Sequence, residues 1–244
     1  MKRIVIVSGA NGSLGEKYLK YFAKKSAFYC VGLSRTNPKH PIKKVKYILS
    51  NLLDAKKLES EMNQIDFEKF SEIILIHPVG KFKFEGKKIT RIGKDKQIYD
   101  SNVTTFINLA NILSKRITKN KKIVFCCFGS VSDKFNVPYW TTYTKSKLRL
   151  KEILKTLSKH KNIRSVFINV SSVATGNEEK LRPFADKAHW LKPEKIVSKS
   201  APEILLGKLQ FVELDIIEPN PSFKDNYYLD HAAIYEKWKR EMGK

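Results

Sequence analysis

The sequence is poor in cysteine and has no long apolar run. Three of its 244 residues are cysteines, and two of them, Cys126 and Cys127, are adjacent in an apolar segment. This spacing provides neither a disulfide framework nor a metal-ligand motif, so we expect buried thiols in a reducing compartment and no metal site. The apolar runs have the length of strands, which predicts no membrane span and no signal peptide. A cytoplasmic location is therefore expected.

Acidic residues are also scarce. The chain has 24 Asp and Glu against 47 Lys and Arg, which gives a formal net charge of +23. Such a charge can indicate a nucleic-acid-binding protein. The lysines, however, are spread over almost every segment rather than along one stripe, which favours a solvated surface over a nucleic-acid interface. A positive surface still attracts an anionic cofactor or substrate.

Strand-like and helical patterns alternate along the chain. The strand-like segments are Arg3–Val7, Phe28–Leu33, Val45–Leu49, Glu72–Ile76, Ile123–Gly129, Ile163–Val170 and Phe211–Ile217. The segments with helical periodicity are Glu16–Ser26, Leu52–Phe70, Gln97–Arg116, Tyr139–His160, Pro193–Leu206 and a last one from about Asp230. This alternation predicts an α/β doubly wound parallel sheet of about seven strands, with helices on both faces, in a single domain over residues 1–244. Ligands of such sheets bind at the carboxyl ends of the strands.

A glycine-rich turn joins the first predicted strand to the first helix. Its glycines have the spacing GxxGxxG. Glycines in a strand–turn–helix context let the backbone approach a pyrophosphate, and the helix N-terminus supplies free N–H groups. The turn therefore favours a dinucleotide site over an ordinary connection. The residues expected to contact the cofactor here are Gly9, Asn11, Gly12, Ser13, Leu14 and Gly15.

The end of the second predicted strand indicates which dinucleotide binds. An acidic residue about twenty positions after the glycine turn would bind the ribose of NAD, but the sequence there is Ser34-Arg35-Thr36. Arg35 is a planar cation suited to a 2′-phosphate, and Ser34 is a further donor. NADP(H) is therefore favoured over NAD(H). A solvated surface arginine is the alternative.

The fifth predicted strand leads into a candidate acid–base site. The spacing Tyr-x-x-x-Lys occurs three times in the chain, as Tyr21/Lys25, Tyr143/Lys147 and Tyr235/Lys239. The pair Tyr143/Lys147 differs from the others because it follows a buried strand and a serine, Ser130. Residues four apart share a helix face, so Tyr143 and Lys147 should point the same way. His77, at the end of the fourth strand, is interpreted as structural, because no carboxylate accompanies it in the sequence.

Together these motifs resemble the short-chain dehydrogenase/reductase family over roughly residues 3–217. The matching features are the turn SGANGSLG, Asn51-Leu52 where the family often has Asp-Val, Asn102 in the fourth helix, Ser130, and Tyr143 with Lys147. Three features depart from the family pattern: Ser13 stands in the place of the middle glycine, His77-Pro78-Val79-Gly80 replaces Asn-Asn-Ala-Gly, and Val170-Ser171-Ser172 lacks a Pro-Gly pair.

The resemblance implies a Rossmann fold and reversible hydride transfer between a nicotinamide and a carbonyl or alcohol. Tyr143 would be the acid–base residue. Lys147 would lower the pKa of Tyr143 and hold the nicotinamide ribose, and Ser130 would bind the substrate oxygen. Asn102 would position a water in a proton relay. The further cofactor contacts implied are Asn51, Leu52 and Gly80.

Substrate specificity is expected in two loops, Lys81–Lys94 and Ser171–Pro193, with Phe184, Trp190 and the aromatic residues of the tail 218–244 as wall residues. The substrate loop extends over about 171–206. Its lysines suggest a small anionic carbonyl or alcohol substrate. The resemblance also implies a homodimer or homotetramer through helices 97–116 and 139–160.

Two other classes of protein remain open on the sequence. One is a catalytically vestigial nucleotide-sensing or scaffolding protein, which the altered segment around His77 favours. The other is a nucleic-acid-binding module, whose affinity would fall steeply with salt.

Overall fold

Seven parallel strands form the centre of the computed structural model, which describes residues 2–86, 95–218 and 227–244. The strands are β1 Lys2–Ser8, β2 Phe28–Ser34, β3 Val45–Leu49, β4 Phe70–His77, β5 Lys122–Ser130, β6 Ile163–Val170 and β7 Phe211–Ile216. Their order in the sheet is β3-β2-β1-β4-β5-β6-β7, and every pair of neighbours is parallel. The predicted parallel α/β sheet is confirmed.

Helices cover both faces of this sheet. They are α1 Ser13–Ala23, α2 Ala55–Met62, α3 Lys96–Tyr99, α4 Thr105–Ser114, α5 Val131–Phe135, α6 Thr141–Leu157, α7 Gly176–Leu181, α8 Pro193–Leu206 and α9 His231–Glu241. Single 3₁₀ turns lie at Phe67–Lys69, Pro138–Trp140 and Tyr227–Leu229, and a π-helical turn lies at Asp100–Thr104. No helix among the described residues is long and apolar enough to cross a bilayer.

The core has two layers because the central strands are buried on both faces. On one face, Phe106, Leu109 and Leu150 from α4 and α6 pack against the sheet. On the other face, Phe22 from α1 and Ile196 from α8 do the same. Strands enclosed in this way have nearly continuous apolar sequences, which is why they could be recognised as short apolar runs.

The strand order reverses at β1, which has β2 on one side and β4 on the other. Ser8 at the end of β1 is level with Leu33 of β2, and Val7 is level with Ile76 of β4. The turn after β1 therefore opens beside the segments that follow β2 and β4. Doubly wound sheets bind ligands in the crevice at this reversal.

The helices after β3 and β4 differ from those predicted. The helical pattern over 52–70 is divided, because Asp54 caps α2 by accepting from Lys57 N–H at 3.1 Å, Asp66 caps the 3₁₀ turn, and Phe70 already belongs to β4. The pattern over 97–116 is interrupted by the π-helical turn. Asn102 in this turn is hydrogen-bonded to Ser146 of α6, a tertiary contact that periodicity cannot indicate.

Two short helices lie in segments where none was predicted. α5 follows β5 directly and is capped by Ser130. α7 lies within the predicted loop 171–193, where the Thr175 side chain accepts from Glu178 N–H at 3.3 Å. Both have a side-chain cap that a search for longer periodic segments overlooks. Of the predicted basic loop over 81–94, residues 87–94 lie outside the described part of the chain.

Candidate active site

Ser130 ends β5 and begins α5. Its Oγ accepts from Ser132 N–H at 3.2 Å, while its own N–H donates to Asp133 Oδ1 at 2.6 Å. This reciprocal capping box fixes the serine at the carboxyl end of the sheet. The cap uses the oxygen as an acceptor, so the hydroxyl proton can be donated to another group.

Tyr143 and Lys147 lie one turn apart on the first part of α6. The Ser130 side chain lies close enough to the Tyr143 hydroxyl to lower its pKa. Lys147 Nζ lies 5.4 Å from the centre of the Tyr143 ring. The structure therefore brings the three residues together at the end of β5.

Burial determines the protonation of this pair. It raises the pKa of Tyr143 well above its ordinary value, the negative charge of Asp133 raises it further, and the nearby Ser130 side chain opposes the increase. The expected lowering of the Tyr143 pKa is therefore wrong for this structure, because desolvation of the phenolate dominates. Burial also lowers the pKa of Lys147 to about 8, and the charge of Asp133 opposes that decrease.

Asn102 is fully buried in the π-helical turn. Its Oδ1 accepts from Lys81 N–H at 2.6 Å, and its Nδ2 donates to Ser146 Oγ at 2.8 Å and to Lys81 C=O at 3.1 Å. A Cβ atom at Gly80 would lie 3.2 Å from both Asn102 Oδ1 and Lys147 Nζ. The segment after β4 thus passes directly beside the lysine. π-helical turns are frequent at functional sites.

The glycine turn has the geometry that a pyrophosphate requires. Gly9 has φ +63°, a conformation that other residues rarely adopt, and a Cβ atom at Gly15 would collide with the Gly9 carbonyl oxygen. No side chain caps the N-terminus of α1 at Gly12. The first N–H groups of the helix, at Ser13 and Leu14, therefore remain available to an anion.

The loop after β2 is joined to the glycine turn by Asn11. Its Nδ2 donates to Thr36 C=O at 2.8 Å and to Thr36 Oγ1 at 3.2 Å. Ser34 is buried, and its hydroxyl donates to Thr36 C=O at 2.8 Å, so its proton is engaged within the loop. Arg35 is exposed at the same rim. The loop thus presents the Arg35 cation, rather than the Ser34 hydroxyl, to a ligand.

Asn51 and Leu52 follow β3 at the same edge of the sheet. Asn51 is exposed, and its Oδ1 accepts from Leu53 N–H at 3.2 Å. Leu52 is buried, and its carbonyl accepts from Asn108 Nδ2 at 2.9 Å. The crevice at the carboxyl ends of β1, β2 and β3 is thus lined by the backbone of the glycine turn and bordered by polar side chains. This arrangement fits a dinucleotide.

His77 is buried between two hydroxyl groups. Its Nδ1 lies 2.7 Å from Ser8 Oγ, and its Nε2 lies 3.2 Å from Thr105 Oγ1. Burial lowers its pKa to about 3, and the charge of Lys147 adds to this effect. The neutral ring joins β1, β4 and α4, which supports the structural interpretation.

An aromatic cluster covers Tyr143, and the sequence motifs did not indicate it. Phe82 lies edge-on to Tyr143 with ring centroids 5.0 Å apart, and Trp238 of α9 lies 5.4 Å from Phe82 and 4.5 Å from Trp140. The helical spacing of Ile234, Tyr235 and Trp238 was the one available signal for α9, but it does not reveal where the helix packs.

A cavity of about 70 Å³ lies behind this cluster, beginning at Val131 next to Ser130. Its wall includes Trp140, Trp190, Tyr228 and Trp238, so Trp190 and two tail aromatics line it. Phe184 does not line it and is 73% exposed. An open groove of about 590 Å³ between α2 and α4 contains none of the predicted site residues.

Arg182 connects helices α7 and α9 at one side of the cavity. It is almost completely buried and is paired with Glu178 of α7 and with Glu241 of α9, the latter at 2.9 Å. Its guanidinium lies 4.1 Å from the centre of the Trp238 ring. Because one cation bridges both helices, α9 is fixed to α7 above the cavity.

This sheet order is similar to the Rossmann-type fold of solved short-chain dehydrogenase proteins. A solved 4-hydroxyisoleucine dehydrogenase complexed with NADH has a TM-score of 0.74 at 24% identity, covering 91% of this chain and 100% of that one. The ligand-free aldohexose dehydrogenase of Thermoplasma acidophilum has a TM-score of 0.74 at 15% identity, covering 91% and 97%.

A 3-ketoacyl-(acyl-carrier-protein) reductase from Brucella melitensis, complexed with NADH, has a TM-score of 0.73 at 17% identity. The likeness covers 88% of this chain and 97% of that one. No protein-family model and no curated protein matches the sequence. The similarity to these structures is therefore one of fold.

Proposed function

We propose that the protein is an NADP(H)-dependent oxidoreductase that transfers a hydride between the nicotinamide and a carbonyl or alcohol substrate, with Tyr143 as the acid–base residue. The observation that carries this proposal is the contact of Tyr143 with Ser130 and Lys147, at the end of β5 in a fold with a glycine turn after β1. The similarity to dehydrogenases and reductases solved with NADH supports it.

The glycine turn, Arg35, Asn51 and Gly80 would hold the dinucleotide, and its nicotinamide would supply or accept the hydride. The NADP(H) preference rests on the exposed Arg35 at the rim and on the absence of an acidic residue at positions 34–36. A guanidinium binds a phosphate through charge-assisted hydrogen bonds.

Tyr143 would transfer the proton. Its raised pKa keeps the phenol protonated at neutral pH, which suits the donation of a proton to a carbonyl oxygen during reduction. The Ser130 hydroxyl would donate to the same oxygen and stabilise its developing charge. Lys147, with a pKa of about 8, is mostly cationic at neutral pH and would hold the nicotinamide ribose.

Asn102 would hold two segments next to this site in place. Its amide is bonded to Lys81 and Ser146, and Ser146 Oγ in turn donates to Tyr143 C=O at 2.6 Å. The side chain therefore connects the segment after β4 to the start of α6. The water-positioning role in a proton relay is proposed together with this connection.

The cavity wall supports an uncharged substrate rather than an anionic one. Its cations Arg182 and Lys237 are both paired with Glu241, and three tryptophans are part of the wall. A small ketone, aldehyde or alcohol fits this environment. A homodimer or homotetramer through the helices around α4 and α6 is also proposed, because Tyr99 and Leu148 there are 41% and 37% exposed.

The cofactor is tested by titrating the protein with NADPH and NADH and following nicotinamide fluorescence. We expect NADPH to bind more tightly, and Arg35→Ala to weaken NADPH by about 10- to 100-fold, because charge-assisted hydrogen bonds contribute about 1.5–3 kcal/mol. Lys39→Ala, which removes an exposed charge nearby, is the control. Equal affinities for both nucleotides would contradict the Arg35 assignment, and binding of neither would overturn the cofactor site.

Catalysis is tested by measuring NADPH oxidation with a panel of small ketones and aldehydes. Tyr143→Phe should lower kcat by about 10²- to 10⁴-fold, because it removes the proton donor while keeping the ring. Tyr29→Phe, at a tyrosine that stacks on Phe70, should leave kcat unchanged. Turnover that survives in Tyr143→Phe would contradict the assigned mechanism. Cofactor binding without turnover of any carbonyl would favour the vestigial, nucleotide-sensing alternative.

A further inference from the structure

A buried carboxylate lies beside the proposed catalytic residues. The side chain of Asp133 is 0% exposed, and its Oδ1 accepts from Ser130 N–H at 2.6 Å. Its Oδ2 has no hydrogen-bond partner in the described part of the chain, and the nearest cation paired with it is Lys151, at 3.6 Å. A carboxylate withdrawn from water gains a proton unless hydrogen bonds and nearby positive charge stabilise its ionised form. Burial raises the pKa of Asp133, and the Ser130 N–H together with the charges of Lys151 and Lys147 opposes this increase.

Helix α6 supplies that charge from one face. Tyr143, Lys147 and Lys151 are spaced by four residues, and α5 packs against this helix. Lys151 is shared, because it also pairs with Glu213 at 2.7 Å. Lys151 therefore balances the negative charge of Asp133 only in part.

Lys147 is a buried cation that lacks a directly paired carboxylate within the described residues. Asp133 is the carboxylate whose charge acts on it. The neighbouring Cys127 thiol is neutral, because burial raises its pKa well above the ordinary value. A buried ammonium group without a counter-ion loses its proton at a lower pH than an exposed lysine does.

We propose that Asp133 is a positioning residue of this site, which orients Ser130 through its backbone N–H and serves as the counter-ion that keeps Lys147 charged. The inference rests on the proposed function, since it assigns a supporting residue to the same reaction. One side chain thus controls both groups: it fixes the serine by a hydrogen bond and the lysine by its charge.

Other titratable groups that face this cluster come from several elements. His77 of β4 is neutral and faces Lys147. The charge of Glu178 of α7 acts on Tyr143. The turn at 227–229 packs on α5 through Tyr228, which stacks on Phe135 and whose pKa is raised by burial.

The test measures the Lys147 titration directly, by NMR of protein labelled with ¹³C at lysine Cε. The signal that disappears in Lys147→Arg identifies the residue. In the unaltered protein it should titrate near pH 8. In Asp133→Asn, which keeps an oxygen acceptor for Ser130 N–H but removes the charge, it should titrate about one pH unit lower or more.

Asp215→Asn is the matched control, because the same change is made at a half-exposed carboxylate paired with Lys134. There the Lys147 titration should stay near pH 8. If Asp133→Asn does not fold, Asp133→Ser provides a second uncharged residue that can accept from Ser130 N–H. A Lys147 signal that titrates at the same pH in the folded variant and in the unaltered protein would overturn the counter-ion role.

Turnover gives a second readout. The alkaline limb of kcat/KM for carbonyl reduction should move to lower pH in Asp133→Asn, whereas a purely structural role would lower the rate equally at every pH. The NMR titration needs no substrate, so its failure overturns the Asp133 inference alone. Retained turnover in Tyr143→Phe would instead overturn the proposed function.

Discussion

At the scale of single residues, the environment of His77 determines its chemistry more than its position does. It stands at the carboxyl end of a central strand, where a catalytic residue would be expected, but its ring nitrogens face Ser8 and Thr105. The ring is sealed from solvent, so it cannot gain a proton without losing these contacts. Its position at the strand end could be predicted from the sequence, whereas its hydroxyl partners come from β1 and α4 and could not.

His77 should make the protein sensitive to acid. Its pKa is about 3 in the folded state against an ordinary 6.5, so protons bind preferentially to the unfolded chain below pH 6.5. This contribution to stability is complete above pH 6.5 and is lost as the pH falls towards 3. When the pH is lowered from 7 to 4.5, the unfolding free energy of both proteins should fall. The fall should be about 2–3 kcal/mol smaller in His77→Asn than in the unaltered protein.

Urea unfolding at both pH values measures this difference. His160→Gln, at an exposed histidine, is the matched control and should follow the unaltered protein. An equal loss of stability in His77→Asn and in the unaltered protein would show that the ring is protonated in the folded state.

At the scale of elements, the strands and the glycine turn could be predicted because each depends on local sequence. Parallel strands buried on both faces need continuous apolar residues, and the turn needs glycine at Gly9 and Gly15. The π-helical turn could not be predicted, because Asn102 takes part in it through contacts with other elements. α5 was missed for a different reason: its cap is local, but the helix is too short to show periodicity. The tertiary contact of Asn102 lies next to the proposed catalytic residues.

The glycine turn provides a prediction at this scale. Gly15→Ala would place a Cβ atom against the Gly9 carbonyl oxygen, so the first turn of α1 must move away from the turn. We expect a loss of about 1–3 kcal/mol in unfolding free energy and at least about a tenfold weaker binding of NADPH, measured by urea unfolding and fluorescence titration.

Gly176→Ala is the matched control, because nothing lies within 4 Å of its added Cβ atom. That position begins α7, where alanine should be neutral or stabilise by up to about 1 kcal/mol. Unchanged NADPH affinity in Gly15→Ala would show that the close approach of the turn is not needed by the ligand.

At the scale of the whole molecule, the order of elements defined the fold, but the cover of the site depends on contacts between distant parts of the chain. Alternating strands and helices were sufficient for the doubly wound sheet. The position of α9 depends on Phe82, Arg182 and Trp238, which lie in three separate segments. No local pattern relates them, so the aromatic wall over Tyr143 became visible only in three dimensions.

The contact between α9 and α7 has a consequence for synthesis of the protein in the cell. The glycine turn and the strands β1 to β5 leave the ribosome well before α9, so the residues of the proposed dinucleotide crevice are made before the aromatic cluster over Tyr143 is complete. Phe82, which contacts Tyr143, precedes it in the chain, but the cluster is complete only when Trp238 has emerged, and only then can Arg182 pair with Glu241. A ribosome paused before α9 would therefore carry a chain that has the residues of the proposed crevice but lacks the part of the aromatic cluster that Trp238 supplies.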